Sequence, residues 1–131
     1  MTGVRKEAGT ARLTAAETSE FKARLRSERA AMQAEYAAAV AELDNLRRSH
    51  TDGAGNDQAD VGNTTFQREQ QQSIAANRRD LLDQLEHALE RIDAGTYGRC
   101  ENCGRPIPKA RLTALPMATL DAACKSREER R

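Results

Sequence analysis

From about residue 14 to residue 46 the apolar positions keep a helical period. Leu25, Met32, Ala39 and Leu46 recur every seven residues, with Tyr36 and Leu43 between them, so that 32, 36, 39, 43 and 46 form one narrow stripe. Arg29 interrupts the stripe, Phe21 stands at its upstream end, and the remaining surface is mostly charged or alanine. A narrow stripe on a helix of this length calls for one long partner helix, as in a coiled coil, more than for a place in an ordinary bundle. Thr14 and Glu17 fit a reciprocal capping box, with Ser19 as an alternative start. The first helix is therefore expected over about 17–46.

The pattern breaks over 49–63, where Gly53, Gly55, Gly62, Asp52, Asp57 and Asp60 crowd together. Such a stretch is expected to form an acidic loop. Thr64 and Gln67 fit a second capping box, and a second helix is expected over about 65–94. Ile74, Leu81, Leu85, Ala88 and Ile92 form its stripe, which Leu82 and Leu89 widen toward the end, and Gly95 is placed to terminate it. Two stripes of matching length joined by a polar loop predict an antiparallel hairpin. Its wider end should pack against more than the partner helix.

Past Gly95 the pattern changes again. Pro106-Ile107-Pro108 is rigid and extended, Lys109–Thr113 suits a short turn or helix, and Leu120 and Ala123 open a last short helix with a charged end. The fold class that results is mainly α. A flexible N-terminal arm (1–13) leads into a coiled-coil hairpin (14–94, tip loop 49–63), followed by a small C-terminal finger-like domain with a terminal helix (95–131). Ile107, Leu112, Leu115 and Leu120 are the expected core of that last part.

Composition narrows the function classes. The chain has 131 residues, with 21 basic and 20 acidic side chains, so net charge gives no nucleic-acid footprint. No apolar run is long enough to span a bilayer and the first residues lack the apolar segment of a secretory signal, so no membrane role and a cytoplasmic location are expected. Three cysteines do not make a disulfide framework. The only histidines, His50 and His87, lie in different elements and no catalytic set has the right spacing, which argues against an enzyme. Glu101 reads as a solvated residue.

The cysteines carry the candidate chemistry. Gly98-Arg99-Cys100-Glu101-Asn102-Cys103-Gly104 is a knuckle that turns two sulfurs toward one centre, half of a structural zinc site. The other half should be a second Cys-x-x-Cys; the chain has Asp121-Ala122-Ala123-Cys124 instead. Aspartate can ligate zinc through oxygen, so the set is Cys100, Cys103, Asp121 and Cys124. The alternative is a decayed site with free cysteines.

Ile92-Asp93-Ala94-Gly95-Thr96-Tyr97-Gly98-Arg99-Cys100-Glu101-Asn102-Cys103-Gly104-Arg105-Pro106-Ile107, then Arg111-Leu112-Thr113-Ala114-Leu115-Pro116 and the position of Cys124, resemble the bacterial DksA/TraR-type zinc-finger transcription regulators. The resemblance implies a zinc-dependent monomer that binds RNA polymerase, not a specific DNA sequence, and inserts its coiled-coil tip into the secondary channel to modulate initiation. It places the family's tip motif on Asp57, Asp60 and Gly62, with glycine where the family has alanine, and it puts Asp121 where the family has its third zinc cysteine. Many members act with guanosine tetraphosphate in the stringent response through three basic positions. These fall here on Gln84, Leu115 and Lys125, of which only Lys125 is basic, and this argues against alarmone co-binding. Two other readings stand beside it: a small zinc protein that binds nucleic acid through Arg99, Arg105, Lys109 and Arg111, and a coiled-coil adaptor.

Overall fold

The structure, a computed structural model, describes residues 12–52 and 58–130, and in the stretch 50–61 only the backbone. The described elements are α1 (Ala15–Asp52), α2 (Gln58–Ala94), α3 (Lys109–Ala114) and α4 (Ala122–Glu129). None of the described helices is long and apolar enough to cross a membrane.

The start of α1 is the capping box that the sequence specifies. The Thr14 amide donates to Glu17 Oε1 at 2.9 Å, and the Glu17 amide donates to Thr14 Oγ1 at 3.0 Å. At its C-terminal end α2 closes on Gly95, which sits at φ 80°. The Gly95 amide donates to the Ile92 carbonyl and the Thr96 amide to the Arg91 carbonyl, the paired bonds of a Schellman motif. A left-handed residue is required there, and glycine meets that need without steric cost.

The helices run further into 49–63 than the sequence pattern suggests. α1 continues through Asp52 and α2 is already helical at Gln58, so Gly62 and Thr64 lie inside a helix and Thr64 does not cap one. One interior glycine costs a helix about 1 kcal/mol, which a helix of 37 residues absorbs. Acidic residues such as Asp60 are favoured in a first turn. Asp57 lies outside the described residues.

The chain divides into two compact units, one comprising the chain up to Glu28 and from Gln84 onward, the other Arg29–Asp83. In the second unit the helices run antiparallel, as their contacts require. Arg78 pairs with Glu35 at 3.1 Å, the Gln71 amide donates to the Ala39 carbonyl at 3.2 Å, and the Arg79 guanidinium lies over the Tyr36 ring. Ala39, Leu43, Ala75 and Leu82 are the buried apolar residues among the described residues of this unit. The α1 stripe falls where expected, with Met32, Tyr36 and Leu46 half-buried. On α2 the expected Leu85 and Ala88 are buried, as are Leu82 and Leu89 of the wider end, but earlier in the helix the phase is off by one residue: Ala75 and Leu82 are buried, Leu81 is half-buried and Ile74 is exposed.

The first unit holds the larger core. Phe21 and Leu25 on α1 and Leu85, Ala88 and Leu89 on α2 are buried in it. Around the knuckle, Phe21, Cys100, Ile107, Leu112 and Cys124 form one cluster, with Leu13, Tyr97, Ala118 and Leu120 against it. Leu115, expected in this core, is 44% exposed; Pro116 beside it is fully buried, and its carbonyl accepts the Tyr97 hydroxyl at 2.7 Å. Polar links reinforce the packing: Arg24 donates to the Thr113 carbonyl at 2.6 Å, Lys109 pairs with Glu17, and Lys22 pairs with Asp93 at 3.3 Å. Burial pushes the Tyr97 phenol above its ordinary pKa.

Candidate metal centre

The knuckle is built by backbone hydrogen bonds. Arg99 and Pro106 form an antiparallel bridge, the Cys100 amide donates to the Arg105 carbonyl at 2.8 Å, the Gly104 amide to the Cys100 carbonyl at 3.0 Å, and the Ile107 amide to the Gly98 carbonyl at 2.7 Å. Gly98 adopts φ 89°, and a Cβ there would stand 3.4 Å from Leu13 Cδ1 and 3.9 Å from Leu112 Cδ1. Those are ordinary van der Waals distances, so it is the left-handed turn that calls for glycine. The Glu101 amide donates to the Thr119 carbonyl at 2.8 Å, which ties the knuckle to the strand of chain leading into α4.

The second half of the site comes from the start of α4. Asp121 is its N-cap: Oδ1 accepts from the Cys124 amide at 2.7 Å. The capping geometry leaves Oδ2 on the side of the cysteines, where it accepts from Cys103 Sγ at 3.1 Å. The three Sγ atoms and a carboxylate oxygen of Asp121 all lie within 4.8 Å of one another. Cys100 and Cys124 are buried, Asp121 is half-buried and Cys103 is exposed, and all three cysteines are free thiols.

The protons in this cluster are distributed unevenly. Burial disfavours the Cys100 thiolate, but backbone hydrogen bonds at Cys103, Asp121 and Asn102 outweigh it and bring the thiol down to about 7. The backbone at Arg105 favours a Cys103 thiolate, yet the Asp121 carboxylate and the neighbouring thiols prevail and hold it up at about 11. Asp121 is lowered to about 2, chiefly by the Cys124 amide and then by Cys103. Asn102 Nδ2 and an Arg127 guanidinium nitrogen each donate to Cys124 Sγ at 3.3 Å, and that contact raises the pKa of Arg127.

These residues fit a zinc ion. Tetrahedral zinc with sulfur at 2.3 Å needs ligand atoms about 3.8 Å apart, a separation that the cluster reaches with small side-chain adjustments. Three sulfurs and an oxygen are a borderline-soft donor set suited to zinc. A dication held by these four residues would need Cys103 as a thiolate, without the proton that it donates to Asp121 Oδ2. Arg127 and Asn102, which donate to Cys124 Sγ, would offset the negative charge that three thiolates and a carboxylate would place around a dication.

The structure thus brings together all four residues that the sequence names as ligands. Three features of the surroundings were not read from the sequence: the N-cap role of Asp121, the donors Asn102 and Arg127, and the ties of Glu101. Glu101 is not simply solvated, since its carboxylate pairs with Arg91 at 3.4 Å and with His87. The signal for the cap was present, because an aspartate directly before a short helix is a common N-cap. Lys125 lies exposed on α4, 4.0 Å from Glu128. His50 and the expected tip residues Asp57 and Asp60 have no described side chain; Gly62 is exposed on α2.

Comparison with known proteins agrees with this architecture. Residues 95–130 match the prokaryotic dksA/traR C4-type zinc finger. The chain is 44% identical over 54 residues to the RNA polymerase-binding transcription factor DksA of Caulobacter vibrioides, a match covering 41% of this chain and 38% of that one. A match to an uncharacterized Aquifex aeolicus protein covers 51% of it, so the chain spans about half or less of the curated relatives it matches. Among solved structures, transcription factor DksA2 from Pseudomonas aeruginosa is similar with a TM-score of 0.74 and 33% identity, covering 88% of this chain and 85% of that one. The RNA polymerase binding protein and transcriptional regulator from Chlamydia trachomatis gives a TM-score of 0.55 at 27% identity, covering 91% and 94%. With the hairpin, the knuckle and the chain-length likeness in agreement, the protein belongs to the DksA/TraR zinc-finger family, as a member whose four-residue centre is three cysteines and an aspartate.

Proposed function

We propose that this protein is a transcription regulator that binds RNA polymerase and modulates initiation by inserting the turn of its helical hairpin into the secondary channel. The observation that carries the reading is the likeness to transcription factor DksA2 over 88% of the chain. It is joined by the shorter match to a relative that is named for binding RNA polymerase. The chain works as an arm (1–13), a hairpin (14–94) and a finger domain (95–131). Cys100, Cys103, Asp121 and Cys124 hold a structural zinc ion. Four protein ligands leave no open position for a substrate, so the metal shapes the finger and the protein is not an enzyme.

Asp57 and Asp60, beside Gly62, carry the effect on the polymerase. Carboxylates brought near a magnesium-bearing active site change its electrostatics. Lys125 is the one basic residue left of the three alarmone positions, so guanosine tetraphosphate is not held jointly with the polymerase. The protein acts as a monomer in the cytoplasm, without sequence-specific DNA binding. Purified protein with a terminal tag, incubated with bacterial RNA polymerase, is expected to retain the enzyme in a pull-down and to release it to untagged protein. Absence of retention at micromolar concentrations of both would overturn the reading.

A further inference from the structure

We propose that Asp121 has two simultaneous duties, Oδ2 as the fourth metal ligand and Oδ1 as the N-cap of α4, so that α4 keeps its start when the metal leaves. The inference concerns only the finger and rests on zinc binding in the proposed function for one of its two arms. Its basis is the separation of the two carboxylate oxygens. Oδ1 accepts from the Cys124 amide at 2.7 Å, inside the helix, while Oδ2 accepts from Cys103 Sγ at 3.1 Å, among the donors. A cation at the cluster replaces the Cys103 proton at Oδ2 and leaves the cap bond untouched.

A thiol at this position would behave differently. Cysteine is not among the residues that cap helices well, so a chain with cysteine at 121 would rely on its metal to fix the first turn of α4. Cys124 sits in that turn and is buried in the cluster with Phe21, Cys100, Ile107 and Leu112. Its amide is one of the first-turn donors that a helix leaves unsatisfied without a cap. The lost affinity of an oxygen for a sulfur ligand is thus accompanied by a gain: the first turn of α4, and the packing of Cys124 behind it, persist in the metal-free chain.

Two substitutions separate the duties. Asp121→Asn keeps a capping oxygen but replaces the anionic ligand, and Asp121→Cys keeps a ligand but removes the cap. Zinc affinity, read by competition against a chromophoric chelator, should rank Asp121→Cys above wild type above Asp121→Asn. Protection of the Cys124 amide from hydrogen exchange, read by NMR on metal-free reduced protein, should be weakest in Asp121→Cys. Wild type and Asp121→Asn should protect it equally, and Asp121→Cys should exchange about five- to tenfold faster. Equal protection in all three metal-free proteins would overturn the cap, and unchanged zinc affinity in Asp121→Asn would overturn the ligand. Neither readout involves polymerase, so failure here and failure of the proposed function are distinguishable. Should Asp121→Cys not fold without metal, wild type and Asp121→Asn still decide: loss of Cys124 protection in either on chelation would refute the idea.

Discussion

Leu112 shows how much of the finger rests on a single side chain. It is fully buried, it lies on the short α3, and it belongs to the cluster that holds Cys100 and Cys124. It also approaches the turn at Gly98, with Leu112 Cδ1 3.9 Å from where a Cβ on that glycine would stand. Truncation should leave a cavity directly behind the metal ligands. Leu112→Ala is expected to destabilise the finger by about 2–5 kcal/mol, read as a lower denaturation midpoint of zinc-loaded protein, whereas Leu115→Ala should change it by less than about 0.5 kcal/mol because that side chain is largely in solvent. Equal effects of the two would refute this picture of the core. The contrast between them also marks a limit of reading residues one at a time. Leu112 and Leu115 are both leucines between prolines, and the sequence offers no reason to choose; the buried position goes to Pro116, whose carbonyl is fixed by Tyr97. The four ligands were legible because two cysteines in a knuckle and a downstream Asp-x-x-Cys carry strong spacing information. Arg127 and Asn102 were not, since arginine and asparagine near a cysteine mean nothing until the helix phase places them on one sulfur.

At the scale of elements, α2 is the informative one. Its sequence contains adjacent apolar pairs, Ile74-Ala75, Leu81-Leu82 and Ala88-Leu89, so two helix phases one residue apart are available to it. The observed phase buries Ala75, Leu82 and Leu89. It also lets Gln71 reach the Ala39 carbonyl and Arg78 reach Glu35, contacts an apolar count cannot weigh. The exposed Ile74 that results is a common and inexpensive feature of protein surfaces. The boundary near 58 has a similar explanation: propensity at Gly62 argues for a break, and the continuity of a long paired helix prevails. Gly62 nevertheless retains its intrinsic cost. A Cβ there would meet nothing within 4 Å, and its φ lies outside the left-handed range. Gly62→Ala is therefore expected to stabilise the start of α2 by about 0.5–1 kcal/mol. Amide exchange over 62–70 should slow accordingly, with the finger amides unchanged. Faster exchange in that stretch would show that the glycine is needed where it stands.

At the scale of the whole molecule, the division into two units separates what holds the protein together from what the proposed function asks of it. The metal cluster and the finger's apolar core lie in the unit that comprises the two ends of the chain. Asp57 and Asp60 fall in the sequence range of the other unit, and that unit's described apolar core is small. If attachment to polymerase depends chiefly on the rest of the chain, the charge of Asp57 and Asp60 can be removed without losing the complex. Asp57→Asn together with Asp60→Asn keeps side-chain size and deletes two negative charges. The double variant is expected to fold with an unchanged denaturation midpoint and to bind RNA polymerase within about fivefold of wild type, the effect of the about 1 kcal/mol that a solvated ion pair contributes at most. In single-round transcription from a promoter that responds to the wild-type protein, its effect should largely vanish. The same assay with guanosine tetraphosphate should show no more than additive behaviour, because two of the three alarmone positions, Gln84 and Leu115, carry no positive charge. Full activity of the double variant would exclude action through these two carboxylates. Strong synergy with the alarmone would instead require cationic groups other than those three to complete its site, and would reopen how the finger and α2 are used on the polymerase.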